Sequence, residues 1–271
     1  MKGRLFILAL TVSLTVSGCG ADDGSQSMTP PLPRDIVDLG ALVTEDLPER
    51  VWGKAMLANR DWYDQQNSFQ ILPWSWESPE GTINGTNAYY TFFNHGGPHV
   101  DAPNHVGIGD DGVDSYPVVA FVGPLRVVDV SYLPLGRSVS VDVIRSHEIR
   151  AGDIVLIYTA YTPPQTDDDY PHGIALTREA AEYLAELPVR AFGTDAFNVE
   201  SNDNPSPVEA DSPIARVAPV HHSFLSRGIP VYEQLFNVDR LLDKESMYFV
   251  GVPLNVENGD GMMVRPVVLI Y

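Results

Sequence analysis

Apolar segments in this chain are short, and glycine or proline interrupts or ends most of them. The two residue types number 22 each among 271 residues, and both are poorly tolerated inside helices and strands. What remains reads as an α/β chain with more strand than helix. Ala88–Phe93 is an aromatic, strand-like run. Val118–Val130 is rich in valine and broken by Gly123-Pro124, which predicts two strands or one bent strand. Asp153–Tyr161 (DIVLIYTAY) predicts a buried strand. Thr177–Leu187 predicts a helix: Thr177 caps it, Glu179 suits its positive end, Ala180, Ala181, Leu184 and Leu187 share one face, and Pro188 stops it. Val189–Phe192 then predicts a short strand ending in Gly193-Thr194-Asp195. A second helix is expected from Val220 to Arg227, ended by Gly228. Ile229–Tyr232, Met247–Val252 and Val264–Tyr271 are further strand candidates. Helix and strand do not alternate regularly enough for a doubly wound sheet or a (β/α)8 barrel.

The N-terminus has a different character. Lys2 and Arg4 precede Leu5–Val16, an apolar run of 12 residues. That is short of the roughly 20 residues that span a bilayer but suits the core of a signal peptide. Val16-Ser17-Gly18-Cys19 resembles the lipobox of bacterial lipoproteins, which implies cleavage before Cys19 and lipidation of its thiol; a plain secretory leader is the alternative. Cys19 is the only cysteine, so no disulfide framework exists. The expected organisation is a leader at 1–18, a lipidated tether at 19–35 rich in Gly, Ser, Asp and Pro, and one domain at 36–271. The expected place is the bacterial cell envelope, with the membrane touched only through the N-terminal lipid. Gly20 rather than Asp after the cysteine favours the outer membrane in a Gram-negative source. Net charge is −19, and loss of Lys2 and Arg4 with the leader makes it −21. Such a surface repels phosphate backbones, and no basic patch offsets it, which argues against nucleic-acid binding. Asp167-Asp168-Asp169, flanked by Pro163, Pro164 and Pro171, reads as an exposed acidic loop.

Three of the seven histidines fall in His95-Gly-Gly-Pro-His99-Val-Asp101-Ala-Pro-Asn-His105. His95 and His99 have helical spacing, but Gly96-Gly97-Pro98 between them makes a helix unfavourable by about 3 kcal/mol for the proline alone. The segment therefore reads as a loop entering or leaving a strand. In extended backbone His99 and Asp101 share a face, the glycines let His95 approach the same point, and Ala102-Pro103 turns His105 back toward it. Imidazoles and a carboxylate converging in this way suit zinc or manganese. Three unrelated histidines in a turn-rich loop are the alternative.

This run resembles the His-x-Gly-Thr-His-x-Asp-x-Pro-x-His signature of the cyclase family of metal-dependent hydrolases, which includes bacterial kynurenine formamidase and isatin hydrolase. Gly193-Thr194-Asp195 resembles the family's Gly-x-Asp segment. His221-His-Ser-Phe-Leu-Ser-Arg-Gly-Ile-Pro-Val-Tyr-Glu233 resembles its closing motif, in which glutamate follows histidine by twelve residues. Asn237 and Leu241 fit that motif too, and the resemblance covers roughly residues 36 to 271. The resemblance implies a swivelling β/β/α domain with a mixed sheet and few helices, and a homodimer. It implies that His95, His99 and Asp101 hold a first divalent ion, Zn2+ or Mn2+. Asp101 would bridge to a second completed by His221 and Glu233, giving one or two metals per subunit. His105 would be the acid/base, and Trp52, in a stretch resembling the family's N-terminal aromatic segment, would contact substrate; an ordinary packed tryptophan is the alternative there.

The implied reaction is hydrolysis of an amide C–N bond in a small molecule, an aryl formamide or a cyclic amide, by metal-activated water. A lactone or ester is the alternative substrate, and a non-catalytic, lipid-anchored metal- or ligand-binding protein the alternative role. No Gly-x-Ser-x-Gly elbow supports a serine hydrolase. Two positions depart from the family: Pro98 replaces the usual threonine, and Glu200 the usual aspartate. His222, next to His221, reads as a neighbouring surface or supporting residue, and His147 and His172 as loop or surface histidines.

Overall fold

The run from Ile154 has no polar alternation, and in the fold it lies in the middle of a sheet with both faces covered. The computed structural model describes residues 31–53, 57, 67–163, 173–200 and 213–271. The expected leader, Cys19, most of the expected tether, the Asp167–Asp169 run and His172 lie outside the described residues. The strands in the first half are β1 (Asp35–Asp38), β2 (Ser68–Ser78), β3 (Gly81–Thr91), β4 (His99–Asp101), β5 (Val122–Asp129), β6 (Ser138–Val139) and β7 (Ile154–Tyr158). Those in the second half are β8 (Ala175–Leu176), β9 (Ala191–Thr194), β10 (Val231–Glu233), β11 (Met247–Val250), β12 (Gly261–Met263) and β13 (Val267–Ile270). Among the described residues the helices are short: α1 (Leu47–Trp52), α2 (Val141–Arg145), α3 (Arg178–Glu186), α4 (Pro213–Val217) and α5 (Pro219–Leu225).

Among the described residues, nine strands form one mixed sheet in the order β1-β13-β11-β5-β7-β9-β10-β4-β12. β5, β7, β9 and β10 run parallel in its centre, and the strands on either side are antiparallel. Successive side chains of β7 point to opposite cores. Val155 and Ile157 pack with Ala180, Ala181, Leu184, Val220 and Phe224 of α3 and α5. Ile154 and Leu156 face a second core. Burying each such side chain contributes about 1.5–3 kcal/mol, and this two-sided cover is why the strand reads as continuously apolar. The second core contains Val37 and Val268 from one edge of the sheet and Val100 and Met262 from the other. The sheet is therefore curled so that its two ends share an interior.

α3 forms as expected. Thr177 Oγ1 accepts the Ala180 N–H at 3.2 Å, and Ala180, Ala181, Leu184 and Ala185 are its buried face. Phe192 of β9 stacks on Phe224 of α5 at 4.6 Å. After α5 the chain reverses at Gly228, whose φ of +68° lies in the left-handed region. That reversal carries it into β10, so α5 and β10 deliver His221 and Glu233 to one place.

Several expectations shift. Gly123-Pro124 does not break a strand: Val118–Phe121 is a 3-10 turn, and β5 runs unbroken through both residues. Pro124 lies ahead of Leu125, the first residue paired with β7, so its missing N–H takes nothing from the parallel ladder. The strand expected at Val189–Phe192 is Ala191–Thr194, that expected at Ile229–Tyr232 is Val231–Glu233, and the C-terminal one is confined to Val267–Ile270. The Ala88–Phe93 run is the end of β3, which pairs with β2 along a hairpin of eleven residue pairs. This arm is separate from the main sheet, and most of its side chains on both faces are exposed.

Candidate metal centre

β4 is three residues long and lies between β10 and β12, with His99 opposite Glu233 and Asp101 opposite both Val231 and Gly261. Val100 points into the second core, so His99 and Asp101 share the other face. The glycines before β4 are there for close approach. A Cβ on Gly96 would come within 2.8 Å of Pro48, and one on Gly97 within 2.7 Å of Leu47, both from α1. This tight turn brings His95 back over Asp101. Gly261 makes the room for its ring, since a Cβ there would lie 2.4 Å from His95 Cε1. The main-chain carbonyl of His95 accepts from Trp52 Nε1 and from Gln234 Nε2, each at 3.0 Å.

Asp101 is the hub, with 0% exposure. Its Oδ1 is 3.1 Å from His95 Nδ1 and 3.1 Å from His99 Nε2, and its Oδ2 is 3.7 Å from His221 Nε2. Glu233 closes the ring, 3.4 Å from His221 Nε2 and 3.7 Å from His99 Nε2. These are ion-pair separations without hydrogen-bond geometry: both oxygens of Asp101, His95 Nδ1 and His221 Nε2 are buried with no hydrogen-bond partner. Unpaired buried polar atoms cost about 1–3 kcal/mol each, so four aimed at one point need an explanation.

The outward-facing nitrogens supply it. His99 Nδ1 lies 2.9 Å from the Gly97 carbonyl, which only accepts, so that nitrogen carries the proton and Nε2 has a lone pair. His221 Nδ1 is tied to the Glu200 carboxylate at 3.0 Å, and His95 Nε2 to Asp260 at 3.1 Å. In their neutral form all three rings thus turn a lone pair toward the Asp101 and Glu233 carboxylates. Lone pairs facing carboxylates repel unless a cation lies among them. Tying the far nitrogen of a ligating histidine to a carboxylate or carbonyl is how metal sites fix the ring. His95, His99 and Asp101 offer ligand atoms mutually within 4.8 Å, as do Asp101, His105 and His221. The residues present therefore fit a divalent ion.

Without an ion, protons take its place. Burial works to lower the His95 imidazole, but the Asp101 and Asp260 carboxylates outweigh it and lift it to about 9. Burial likewise opposes, and Asp101, Glu200 and Glu233 overcome it, in raising His221. Asp101 is held well below the usual carboxylate range, against its burial, by the surrounding imidazoles. The His105 and His95 imidazoles hold Asp260 below that range too.

His105 sits in a 3-10 turn, Pro103–Val106, with its ring stacked on His95 at 4.1 Å. Its side chain keeps 30% of its exposure, whereas the rings of His95, His99 and His221 are buried. Trp52 is half-buried and packs near Phe93 and Phe197, with ring centroids 5.9 and 6.1 Å away. The structure thus gathers His95, His99, Asp101, His105, His221 and Glu233, and places Trp52 against the wall of the cluster. It leaves His147 exposed on the Val143 carbonyl and His222 half-buried beside the site. Asp260, Gln234 and Gly261 escaped the sequence reading because they join the histidine run only through folding. Glu200, noted as a departure, turns out to hold His221 by its ring and its backbone N–H, the latter at 2.8 Å.

The chain is similar to known proteins in sequence and in fold. Over 204 residues the chain is 29% identical to kynurenine formamidase from Salinibacter ruber, covering 73% of this chain and 87% of that protein. A kynurenine formamidase from Bacillus cereus is 27% identical over 197 residues, covering 72% and 84%. In structure, isatin hydrolase A from Labrenzia aggregata bound to benzyl benzoate matches 87% of this chain and 93% of its own, with a TM-score of 0.64 at 24% identity. An isatin hydrolase bound to the product analogue thioisatinate matches 87% and 92%, with a TM-score of 0.63 at 21% identity. At such identities the structural likeness speaks for the curled mixed fold. The sequence profile described as "Putative cyclase" matches residues 27–201, well over half of the 271, and the chain belongs to that family.

Proposed function

We propose that this chain is a metal-dependent hydrolase of non-peptide amide C–N bonds, with an aryl formamide or a cyclic amide as substrate. Its kynurenine formamidase relatives support the bond class. The observation that carries the reading is the fully buried Asp101, both of whose oxygens lack a hydrogen-bond partner, inside a ring of imidazoles whose outer nitrogens are already engaged. His95, His99 and Asp101 would hold one divalent ion, Zn2+ or Mn2+, and Asp101, His221 and Glu233 a second. An ion held there lowers the pKa of water toward neutrality and polarises the scissile carbonyl.

The protein's own groups supply the proton path. His105 takes the proton of water as the oxygen bonds the carbonyl carbon, and returns it to the nitrogen as the C–N bond breaks. Its partial exposure beside the buried rings suits a group that exchanges protons with solvent. Because His105 also lies within ligand range of Asp101 and His221, its role needs a direct test. In His105→Ala, hydrolysis should fall about 10²–10⁴-fold while metal content stays that of the unaltered chain. A variant that loses metal makes His105 a ligand, and unchanged hydrolysis removes it from the reaction. The assay should span N-formyl aryl amines, isatins, cyclic imides and lactones, since the last would reveal an esterase.

Trp52 is read as lining the substrate side of His95. The reading also includes export with lipid on Cys19, testable by metabolic labelling with palmitate, and a homodimer. Support for the homodimer comes from the β2–β3 arm, where Leu72, Trp74, Trp76, Ile83 and Tyr89 lie on one exposed face. The arm's only charges are Glu77 and Glu80. On so acidic a chain, a second copy meets least repulsion there.

A further inference from the structure

Asp260 sits where two imidazoles meet. Its Oδ2 is 3.1 Å from His95 Nε2 and 3.6 Å from His105 Nδ1, and its Oδ1 accepts from Asn94 Nδ2 at 2.7 Å. Because the His95 and His105 rings stack with 30° between their planes, one carboxylate oxygen lies against both. The turn carrying Asp260 is fixed by its backbone. Val113 N–H donates to the Gly259 carbonyl at 2.8 Å, and Asn258, in the left-handed region at φ +53°, donates its N–H to the Asp114 carboxylate at 3.0 Å. Ala102 clamps both partners, donating its N–H to the Asp260 carbonyl and accepting the His105 N–H, each at 3.0 Å. Asp260 and His105 are therefore held to one residue from two sides, although 155 positions separate them in sequence.

We infer that Asp260 is the positioning residue for the proton carrier: its carboxylate takes the His105 Nδ1–H and leaves the Nε2 lone pair as the base. This rests on the reading of His105 as the acid/base. A free imidazole populates both neutral tautomers, and only one has its basic nitrogen at Nε2; a carboxylate on Nδ1 removes the other. The separation of 3.6 Å is that of an ion pair, close enough for the carboxylate charge to favour the tautomer that turns its N–H toward Asp260 in the free protein. During hydrolysis the proton passes from water to Nε2 and then to the departing nitrogen, while Asp260 stays ionised. The same oxygen holds the His95 Nε2–H and so turns His95 Nδ1 toward Asp101. One carboxylate thus sets the tautomer of a candidate ligand and of the carrier together.

The test is nitrogen-15 histidine NMR on the full chain at saturating zinc, compared with Asp260→Asn and Asp260→Glu. His105 should be the Nδ1–H tautomer in the unaltered chain and switch to Nε2–H in Asp260→Asn, whose amide donates to Nδ1, with zinc content unchanged. Turnover should fall about 10²–10⁴-fold in Asp260→Asn with little change in KM, and Asp260→Glu should recover part of it. An Nε2–H tautomer in the unaltered chain, no switch in Asp260→Asn, or loss of a zinc equivalent (which would make Asp260 a ligand) overturns the inference. The tautomer is read without substrate. A chain that hydrolyses nothing therefore overturns the hydrolase reading, while the NMR result still decides the part played by Asp260.

Discussion

Gly261 shows how one missing side chain supports the centre. It lies opposite Asp101 in the β4–β12 ladder, and any Cβ there enters the space of the His95 ring. Gly261→Ala should displace that ring, destabilise the fold by about 1–3 kcal/mol and weaken zinc binding on the order of 10–100-fold. Thermal melts and zinc titration read the two effects separately. The protons at the site give a second prediction. His95 rises to about 9 in the metal-free fold, above the ordinary imidazole value near 6.5. Its stabilising contribution is therefore complete below pH 6.5 or so and is lost as pH rises through about 9. An ion must displace that proton, so affinity should climb as pH rises toward about 9. Calorimetry near neutrality in buffers of different ionisation heat should show at least one proton released per chain; none released contradicts the assignment of His95. At this scale the sequence was informative where chemistry is local: His95, His99, Asp101 and His105 lie within one turn-rich stretch. Spacing says nothing about Asp260 or Gln234, which reach His95 from 165 and 139 residues away.

Elements were legible where burial on both faces or a clear cap left one choice. β7 and α3 are such cases, with Thr177 bonded to Ala180 as its position suggests. Strand ends moved by a residue or more where tertiary pairing, not local pattern, decides them, as at β9 and β10. The β2 half of the arm went unread because Pro73, serines and glutamine interrupt its apolar pattern. A two-stranded hairpin is marginal in water when nothing covers it. If a second copy does so, Trp76→Ser combined with Tyr89→Ser should raise the dimer dissociation constant at least tenfold, about 1.4 kcal/mol. Sedimentation equilibrium measures this, and an unchanged constant removes the arm from the interface. Neither side chain belongs to the two cores, so the melting temperature extrapolated to the monomer should barely move.

Across the whole molecule, the curl of the sheet does what no segment can do alone. It lets both edges share a core, and places β4 between β10 and β12 so that His99 meets Glu233 while Asp101 faces Gly261. The histidine motif indicated which chemistry to expect, but the curl, the strand order and the supporting carboxylates follow from long-range pairing. That pairing makes the centre an all-or-none device: five donors from β4, the loop before it, α5 and β10 converge only when the sheet has closed. Metal analysis of the full chain after exhaustive dialysis against metal-free buffer, beside Asp101→Asn, measures that convergence most directly. The unaltered chain should hold at least one divalent ion tightly and lose it when the central carboxylate becomes an amide. Equal metal retention by both proteins, or none by the unaltered chain after zinc or manganese is supplied, would contradict it.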